Sequence, residues 1–224
     1  MEKSPVITID GPSGSGKGTL AERVAKVLNW RFLDSGAIYR VLGLAVERAG
    51  ISINNVENVV EMANKLPLSF QFGKVWLGDE DVSDAIRTET AGNTASKVAV
   101  IDAVRQALLA WQRDYAKAPG LVADGRDMGT VVFPDAKVKI FLTASVEERA
   151  LRRYKQLKEK GLSVNLADLT KEISERDERD SSRMAAPLKA SESALQLDST
   201  KLTAEEVYQQ VMQEVYKTLP DLKG

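Results

Sequence analysis

The sequence predicts an α/β fold built on a parallel sheet, and three observations lead to this prediction. Short apolar segments alternate with longer segments of helical periodicity along most of the 224 residues. Three of the short segments are almost continuously apolar, as in parallel strands that are covered on both faces. A glycine-rich loop follows the first of them directly, in the order strand, loop, helix.

The first elements are predicted from the apolar pattern. Residues 6–9 are apolar and β-branched and predict a strand that ends at Asp10. Apolar residues recur at helical spacing over 17–28, and a second helix is predicted over 37–49 with Gly50 after its end. These segments predict the order strand, loop, helix, helix.

The segment 51–97 has a different pattern. It contains a weak helix over 56–65, and then Leu68, Phe70 and Phe72 alternate before a turn at Gly73. Alternation followed by a turn predicts a small hairpin inserted between α/β units.

The remaining elements follow the same rules. The charged helices 147–160 and 166–183 meet at Gly161, and Thr203 with Glu206 predicts the capped start of the last helix. Further elements are predicted as a long helix over 102–117 and strands over 121–123, 138–142 and 194–197.

Composition excludes several kinds of chemistry. The chain has 31 Lys+Arg against 32 Asp+Glu, so its net charge of −1 gives no basic excess for nucleic acid. It has no cysteine and no histidine, which excludes disulfides, thiolate metal sites and a histidine base. No apolar run approaches the roughly 18 residues of a membrane span, and no signal peptide is recognised, so a cytoplasmic location is the default expectation.

The glycine-rich loop at 11–19 predicts a nucleoside triphosphate site. Glycines let backbone N–H groups turn towards an anion, and the helix that follows directs its positive end at the same point. Lys17 adds a point charge for the terminal phosphates. Gly18 separates Lys17 from the hydroxyl of Thr19, a small departure from the common phosphate-loop pattern. The predicted ATP-binding residues are Gly11, Pro12, Ser13, Gly14, Ser15, Gly16, Lys17, Gly18 and Thr19.

Arginines near predicted strand ends favour a phosphoryl-transfer enzyme over other nucleotide-binding proteins. The chain has neither the Asn-Lys-x-Asp guanine motif nor an ABC-type signature. An arginine holds phosphate with a fork of parallel donors, and several can converge where two phosphate-bearing substrates meet. The arginines are Arg40, Arg126, Arg176, Arg179 and Arg183, the last three on one helical face.

The lack of histidine agrees with a phosphate group as the acceptor. A monophosphate ester has a second pKa near 6, so its oxygen is already mostly ionised at pH 7. Such an acceptor needs alignment and charge neutralisation rather than a general base.

Four blocks in this order resemble the bacterial cytidylate kinases of the nucleoside monophosphate kinase superfamily. They are GPSGSGKGT, LDSGAIYR, ADGRDMGTVVFPDA and ERDERDSSRMAAPL, and the resemblance extends over nearly the whole chain. It implies a three-layer P-loop fold with a parallel central sheet, an inserted subdomain that binds the monophosphate, and a helical lid. The implied divisions are a core of 1–50, 98–145 and 186–224, an insert of 51–97 and a lid of 146–185.

The resemblance also implies roles for individual residues. Ser35, Arg40 and Arg126 would contact the CMP phosphate. Arg176 and Asp180 would contact the ribose, and Arg183 the transferring phosphoryl group, with help from Arg153. Lys17, Arg126, Arg176 and Arg183 are the catalytic candidates. The residues that would read the cytosine edge are Ser96, Arg105 and Asp127, because an aspartate accepts from the N4 amine that uracil lacks.

The resemblance implies ATP with Mg²⁺ as donor and CMP or dCMP as acceptor. It implies no direct protein ligand to the metal; Asp124 resembles the acidic residue that orients a Mg²⁺-bound water in other phosphate-loop enzymes, or it caps a loop. We expect a monomer without nucleic-acid or membrane partners. Two alternatives are a kinase for another monophosphate or a small metabolite, and a nucleotide-binding regulatory protein without turnover.

Overall fold

A computed structural model describes residues 4–71, 73–159, 161–183 and 185–222. Phe72 and Lys160, which the sequence assigned to a hairpin strand and a helix end, lie outside these residues. The chain forms two compact units. The first unit comprises Met1–Leu33 with Tyr115–Gly224, and the second unit comprises Asp34–Asp114.

Strands and helices alternate along much of the chain. The strands are β1 (Val6–Asp10), β2 (Arg31–Asp34), β3 (Leu68–Gln71), β4 (Lys74–Leu77), β5 (Glu80–Asp81), β6 (Leu121–Gly125), β7 (Val138–Thr143) and β8 (Leu195–Asp198). The α-helices are α1 (Lys17–Leu28), α2 (Ser35–Arg48), α3 (Val56–Asn64), α4 (Glu89–Val98), α5 (Asp102–Asp114), α6 (Val146–Glu159), α7 (Leu166–Ser182) and α8 (Ala204–Thr218).

The first unit is organised around a five-stranded sheet in the order β2-β6-β1-β7-β8. Strand β1 lies at the centre and pairs in parallel with β6 on one side and β7 on the other. Strand β8 extends the sheet in parallel from β7. The predicted α/β fold with a parallel central sheet is therefore confirmed.

The core of the first unit lies between this sheet and helices α1 and α8. Ile7 and Ile9 of β1 are fully buried, and they share a cluster with Val24 of α1 and Val211 of α8. Helix α8 begins with the predicted capping box. The Thr203 side chain accepts from the backbone N–H of Glu206, and the Glu206 side chain accepts from the backbone N–H of Thr203. The carboxyl ends of β1, β6 and β7 are thereby fixed at one edge of the sheet.

The second unit is mainly helical and carries the predicted hairpin. Helix α2 packs against α4, and α3 packs against α5. Strands β3 and β4 are antiparallel, as predicted, and β5 adds a short third strand. The rings of Phe70 and Trp111 pack against each other at a centroid distance of 6.0 Å.

Several elements differ from the sequence prediction. Strand β2 was not predicted, because its four residues include Arg31 and Asp34 and lack a continuous apolar run. Helix α4 was not predicted, because it is rich in Thr, Asn, Ser and Gly, which have low helix propensity. Helix α5 ends at Asp114 rather than at residue 117, before the Pro119 that disfavours a helical residue 118. No helix of the described residues is long and apolar enough to cross a membrane.

Candidate active site

The glycine-rich loop connects the buried end of β1 to the first turn of α1. Gly16 is the N-cap of α1 with a φ of 91°, and Gly14 has a φ of 76°, both in the left-handed region that glycine tolerates. A Cβ atom at Gly11 would lie 2.0 Å from the carbonyl oxygen of Leu142, so only glycine fits there. The backbone therefore turns as an anion-binding loop requires.

Lys17 begins helix α1 and is 8% exposed. Its Nζ atom donates to the carbonyl oxygen of Pro12 at 3.1 Å, within the same loop. The same atom is 4.0 Å from Oδ1 of Asp124, which ends the neighbouring strand β6. The ammonium group is thus held between the loop and the end of β6.

Two arginines of α6 hold the loop from outside, and the sequence analysis missed them. Arg149, only 3% exposed, donates to the carbonyl oxygens of Ser13 at 3.0 Å and Ala144 at 2.8 Å. Its guanidinium also forms a bidentate pair with Asp177 of α7. Arg152 donates to the carbonyl oxygen of Ser15 at 3.3 Å. These bonds draw loop carbonyls away from the anion site, which leaves the N–H groups to face it.

Sequence analysis singled out Arg153 instead of these two neighbours. A helical spacing of three residues is the one signal in the sequence that puts Arg149 and Arg152 on a common face. That spacing does not reveal which backbone carbonyls they meet, because Ser13 is 136 residues away from Arg149.

A cavity of about 320 Å³ opens beside the glycine-rich loop within the first unit. It begins at Gly16 and Thr19 of the loop and extends to α8, where Tyr208 stacks under the guanidinium of Arg23 at 3.6 Å. Its volume lies at the small end of the range for small-molecule sites. Its other lining residues are Ser15, Leu20, Leu142, Glu148, Arg152, Ser199, Leu202, Ala204 and Val207.

Three of the predicted arginines lie around one carboxylate of α7. Asp180 is buried and accepts from Nε of Arg126 at 2.8 Å. Burial alone would raise the pKa of Asp180, but Arg126, followed by Arg176 and Arg183, lowers it below its ordinary value. Burial would likewise lower the pKa of Arg126, and Asp180 raises it instead. The carboxylate thus offsets positive charge from three guanidinium groups.

Asp127 is also in the first unit and is buried. It precedes a π-helical turn, Met128–Val132, that the sequence analysis did not predict. Its carbonyl oxygen accepts from the backbone N–H groups of Val131 and Val132. Asp127 and Arg126 therefore lie between the end of β6 and this turn.

Ser35 and Arg40 are placed at the start of α2 in the second unit. Asp34, which the sequence analysis did not select, caps this helix through Ala37 and pairs with Arg40. The Nε atom of Arg40 is buried and has no hydrogen-bond partner among the described residues. An unsatisfied buried donor on a charged group favours an anion as its partner.

Ser96 and Arg105 are both buried in the second unit. Arg105 of α5 donates to the carbonyl oxygen of Ala99 at 3.3 Å, and its guanidinium carbon is 5.8 Å from the ring centre of Tyr39. Ser96 lies on α4, which packs against α2. The second unit thus holds four of the predicted contacts, on helices α2, α4 and α5.

The donor set near the loop suits Mg²⁺ rather than a transition metal. Thr19 and Asp124 supply hard oxygen atoms, and a Cβ atom at Gly18 would lie 3.0 Å from Oδ2 of Asp124. No group of three acidic residues within the described ranges could hold a metal by itself.

A parallel sheet whose first strand ends in a phosphate loop, with buried arginines and a lysine in the same unit, defines a P-loop phosphotransferase. A model of the family described as cytidylate kinase matches residues 7–217. The chain belongs to the cytidylate kinase family, which confirms the resemblance found from the sequence.

Named relatives cover nearly the whole chain. A cytidylate kinase of Nitrosococcus oceani is 58% identical over 93% of this chain and 94% of its own. A cytidylate kinase of Stutzerimonas stutzeri is 57% identical over 94% of this chain and 95% of its own. A cytidylate kinase of Aeromonas salmonicida is 54% identical over 98% of this chain and 97% of its own. A solved shikimate kinase of Bacteroides thetaiotaomicron is 13% identical over 96% of this chain and 98% of its own, with a TM-score of 0.47.

Proposed function

We propose that the chain transfers the γ-phosphoryl group of ATP to CMP or dCMP, which yields ADP and CDP or dCDP. Family membership supports this reaction. The observation that carries it is the convergence of Arg126, Arg176 and Arg183 on Asp180 in the unit that also holds the glycine-rich loop. The glycine-rich loop suits a triphosphate, and the arginines around Asp180 suit additional phosphate charge.

ATP is assigned to the loop and the adjoining cavity. The N–H groups of the loop and Lys17 bind the β- and γ-phosphates. The cavity that extends from Thr19 to Tyr208 accommodates the nucleoside. Arg152, which lines this cavity, also donates to the Ser199 carbonyl at 2.7 Å and so fixes the cavity wall.

CMP is assigned to charged and polar side chains. Arg40 and Arg126 carry the charge needed by the phosphate, and Asp127 carries the acceptor needed by the cytosine amine. Uracil has a carbonyl oxygen in place of that amine, so a buried carboxylate there disfavours UMP. The complete assignment is Ser35, Arg40 and Arg126 to phosphate, Ser96, Arg105 and Asp127 to cytosine, and Arg176 and Asp180 to ribose.

The reaction is a direct in-line transfer. An oxygen of the CMP phosphate forms a bond to the γ-phosphorus while the bond from phosphorus to the β,γ-bridging oxygen breaks, and ADP leaves with that electron pair. The acceptor oxygen is already ionised, so no general base is needed. Lys17 and Arg183 neutralise the charge on the transferring group, and Arg126 orients the acceptor.

A bound Mg²⁺ would supply positive charge that offsets the charge of the ATP phosphates. Asp124 would orient a water molecule bound to the cation, and Thr19 would contact the phosphate. Lys17, 4.0 Å from Asp124, remains directed to the phosphates because it begins α1.

Residues 146–185 are proposed as the lid that excludes water during transfer. The insert is proposed at 51–97 and the core at 1–50, 98–145 and 186–224. The second compact unit, Asp34–Asp114, is longer than the proposed insert at both ends. Water exclusion favours transfer to CMP over hydrolysis of ATP.

The test is ADP release with a panel of acceptors: CMP, dCMP, UMP, AMP and shikimate. CMP and dCMP should be used at least about 100-fold more efficiently than the others. Comparable use of UMP or AMP would refute the cytosine assignment, and transfer only to a metabolite hydroxyl would refute the monophosphate acceptor.

Asp127→Asn, with Asp135→Asn as its matched control, tests the cytosine reader directly. Asp135 is exposed and follows the same turn. Asp127→Asn should lower kcat/KM for CMP by about 100-fold with little change in the KM for ATP. Asp135→Asn should change neither. Equal effects of the two variants would contradict the role of Asp127.

A further inference from the structure

The carboxylate of Asp10 holds two consecutive peptide groups of the turn after β6. Its Oδ1 accepts from the N–H of Met128 and its Oδ2 from the N–H of Gly129, both at 2.8 Å. These partners lie 118 and 119 residues further along the chain. Attachment at two points fixes the orientation of the turn as well as its distance from β1.

The fixed peptides directly follow the two residues assigned to CMP, Arg126 and Asp127. On the other side of that pair, Gly125 is in register with Asp10 in the β1–β6 ladder, and its carbonyl accepts from Gly11 at 3.3 Å. The two assigned side chains are thus held from both ends, by strand pairing before them and by the Asp10 carboxylate after them.

The close contact between Gly129 and Asp10 leaves little space for a side chain at position 129. A Cβ atom there would lie 2.7 Å from Oγ1 of Thr8 and 3.4 Å from Oδ2 of Asp10. Thr8 is fully buried, and its hydroxyl has no hydrogen-bond partner among the described residues. A side chain at position 129 would therefore push the turn away from Asp10.

The electrostatic setting makes Asp10 unfavourable for stability alone. It is 5% exposed, and its pKa is raised to about 7, mainly by burial, although the N–H groups of Gly129 and Met128 oppose this rise. Asp127 and Asp124 add like charge. A neutral residue would avoid this cost, so the carboxylate is better explained by what it positions.

We infer that Asp10 is a positioning residue that sets Arg126 and Asp127 for the acceptor and thereby maintains discrimination between cytosine and uracil. The inference rests on the proposed function. Asp10 does not touch CMP; it acts through the peptides of Met128 and Gly129.

The first test is Asp10→Asn, with kcat/KM measured for CMP and for UMP. An asparagine offers one acceptor oxygen and turns an amide donor towards the second N–H, so the turn loses one attachment. The ratio of kcat/KM for CMP to that for UMP should fall about tenfold, with the KM for ATP changed less than about twofold.

Val211→Ala is the control for a purely structural effect. Val211 is fully buried in α8 and belongs to the core cluster behind the sheet. Its truncation should lower stability and leave the CMP to UMP ratio within about twofold of wild type, since Val211 lies in the hydrophobic core cluster. A fall equal to that in Asp10→Asn would overturn the inference.

A second pair of variants decides the question without changing Asp10. Gly129→Ala should lower the CMP to UMP ratio, because its methyl group meets the Thr8 hydroxyl. Adding Thr8→Ala removes that hydroxyl and should restore the ratio to within about threefold of wild type, since the nearest remaining atom is Cδ of the flexible Lys139 side chain at 3.3 Å. This pair also decides if Asp10→Asn does not fold.

The outcomes separate the inference from the proposed function. If wild type prefers CMP and both Asp10→Asn and Gly129→Ala keep the full preference, the inference is wrong and the proposed function stands. If wild type uses CMP and UMP equally, the proposed function fails, and the inference fails with it.

Discussion

Two regions of the first unit present positive charge in different ways. The glycine-rich loop uses backbone N–H groups at the start of α1, with Lys17 as its one charged side chain. The region around α7 uses the guanidinium groups of Arg126, Arg176 and Arg183, which Asp180 keeps together. The first is formed by the path of the backbone, and the second by side chains that balance each other.

The difference teaches where substitutions should act. The loop is supported by the core and by carbonyl contacts from Arg149 and Arg152, so removal of its lysine should affect catalysis more than folding. In the α7 region the carboxylate of Asp180 offsets the charge of guanidinium groups that are buried or partly buried. Its removal should therefore affect stability and substrate binding together.

Lys17→Met gives the largest expected effect and tests the loop. It removes the point charge at the terminal phosphates, and kcat should fall about 1,000-fold. The melting temperature should stay within a few degrees of wild type, because the backbone path is unchanged. A loss of less than tenfold in a steady-state ADP assay would show that the loop is not the donor site.

Asp180→Asn tests the second region. The variant leaves three cations without their carboxylate, so the free energy of unfolding should fall by about 3 kcal/mol and the KM for CMP should rise. The pKa of Asp180 is lowered from 3.8, so its contribution exists above that pH and should be lost in more acidic solution. Urea unfolding at two pH values measures both effects.

Asp168→Asn is the control for that variant, since Asp168 is exposed in the first turn of the same helix. Its effect should stay below about 1 kcal/mol. Equal destabilisation by the two substitutions would contradict the neutralising role of Asp180.

Asp177→Asn examines the connection between the two regions. Asp177 holds Arg149, which in turn donates to the loop carbonyl of Ser13. Its neutralisation should raise the KM for ATP about tenfold and leave the KM for CMP nearly unchanged. The exposed neighbour Glu178→Gln should alter neither KM. A larger effect on CMP than on ATP would show that Asp177 acts within its own region.

Asp10 gives the smallest expected effect, which is a change in the free energy of unfolding with pH. The direction of this change is opposite to that expected for Asp180. The pKa of Asp10 is raised to about 7, so the folded protein holds a proton that the unfolded chain releases, and stability falls as pH rises from 3.8 towards 7. Relative to Asp10→Asn, wild type should lose about 1 kcal/mol of unfolding free energy between pH 6 and pH 7. A constant difference between the two proteins would contradict the raised pKa.

The sequence predicted the elements whose signals are local. Helix α1 has its apolar stripe and glycine-rich start within a few residues, and the Thr203 capping box is a four-residue pattern. Strand β2 and helix α4 lack such local signals, since one is short and flanked by charges and the other is rich in weak helix formers. Their structure depends on neighbours that are distant in sequence.

The same distinction applies to the site. The loop residues could be identified because they are consecutive, and the arginines of α7 because they recur at helical spacing. The contacts of Arg149 with Ser13 and of Asp10 with Met128 join residues more than 100 positions apart. Single-sequence patterns carry no signal for such pairs, and the structure was needed to find them.

The central claim is that one loop binds the donor and a neutralised arginine group receives the acceptor for direct transfer. A single-turnover reaction with ATP labelled at the γ-phosphate, excess enzyme and CMP tests it most directly. The account predicts that the label appears in CDP, with none on the protein and little as free phosphate. Label on the protein, or release as phosphate without CDP, would contradict it.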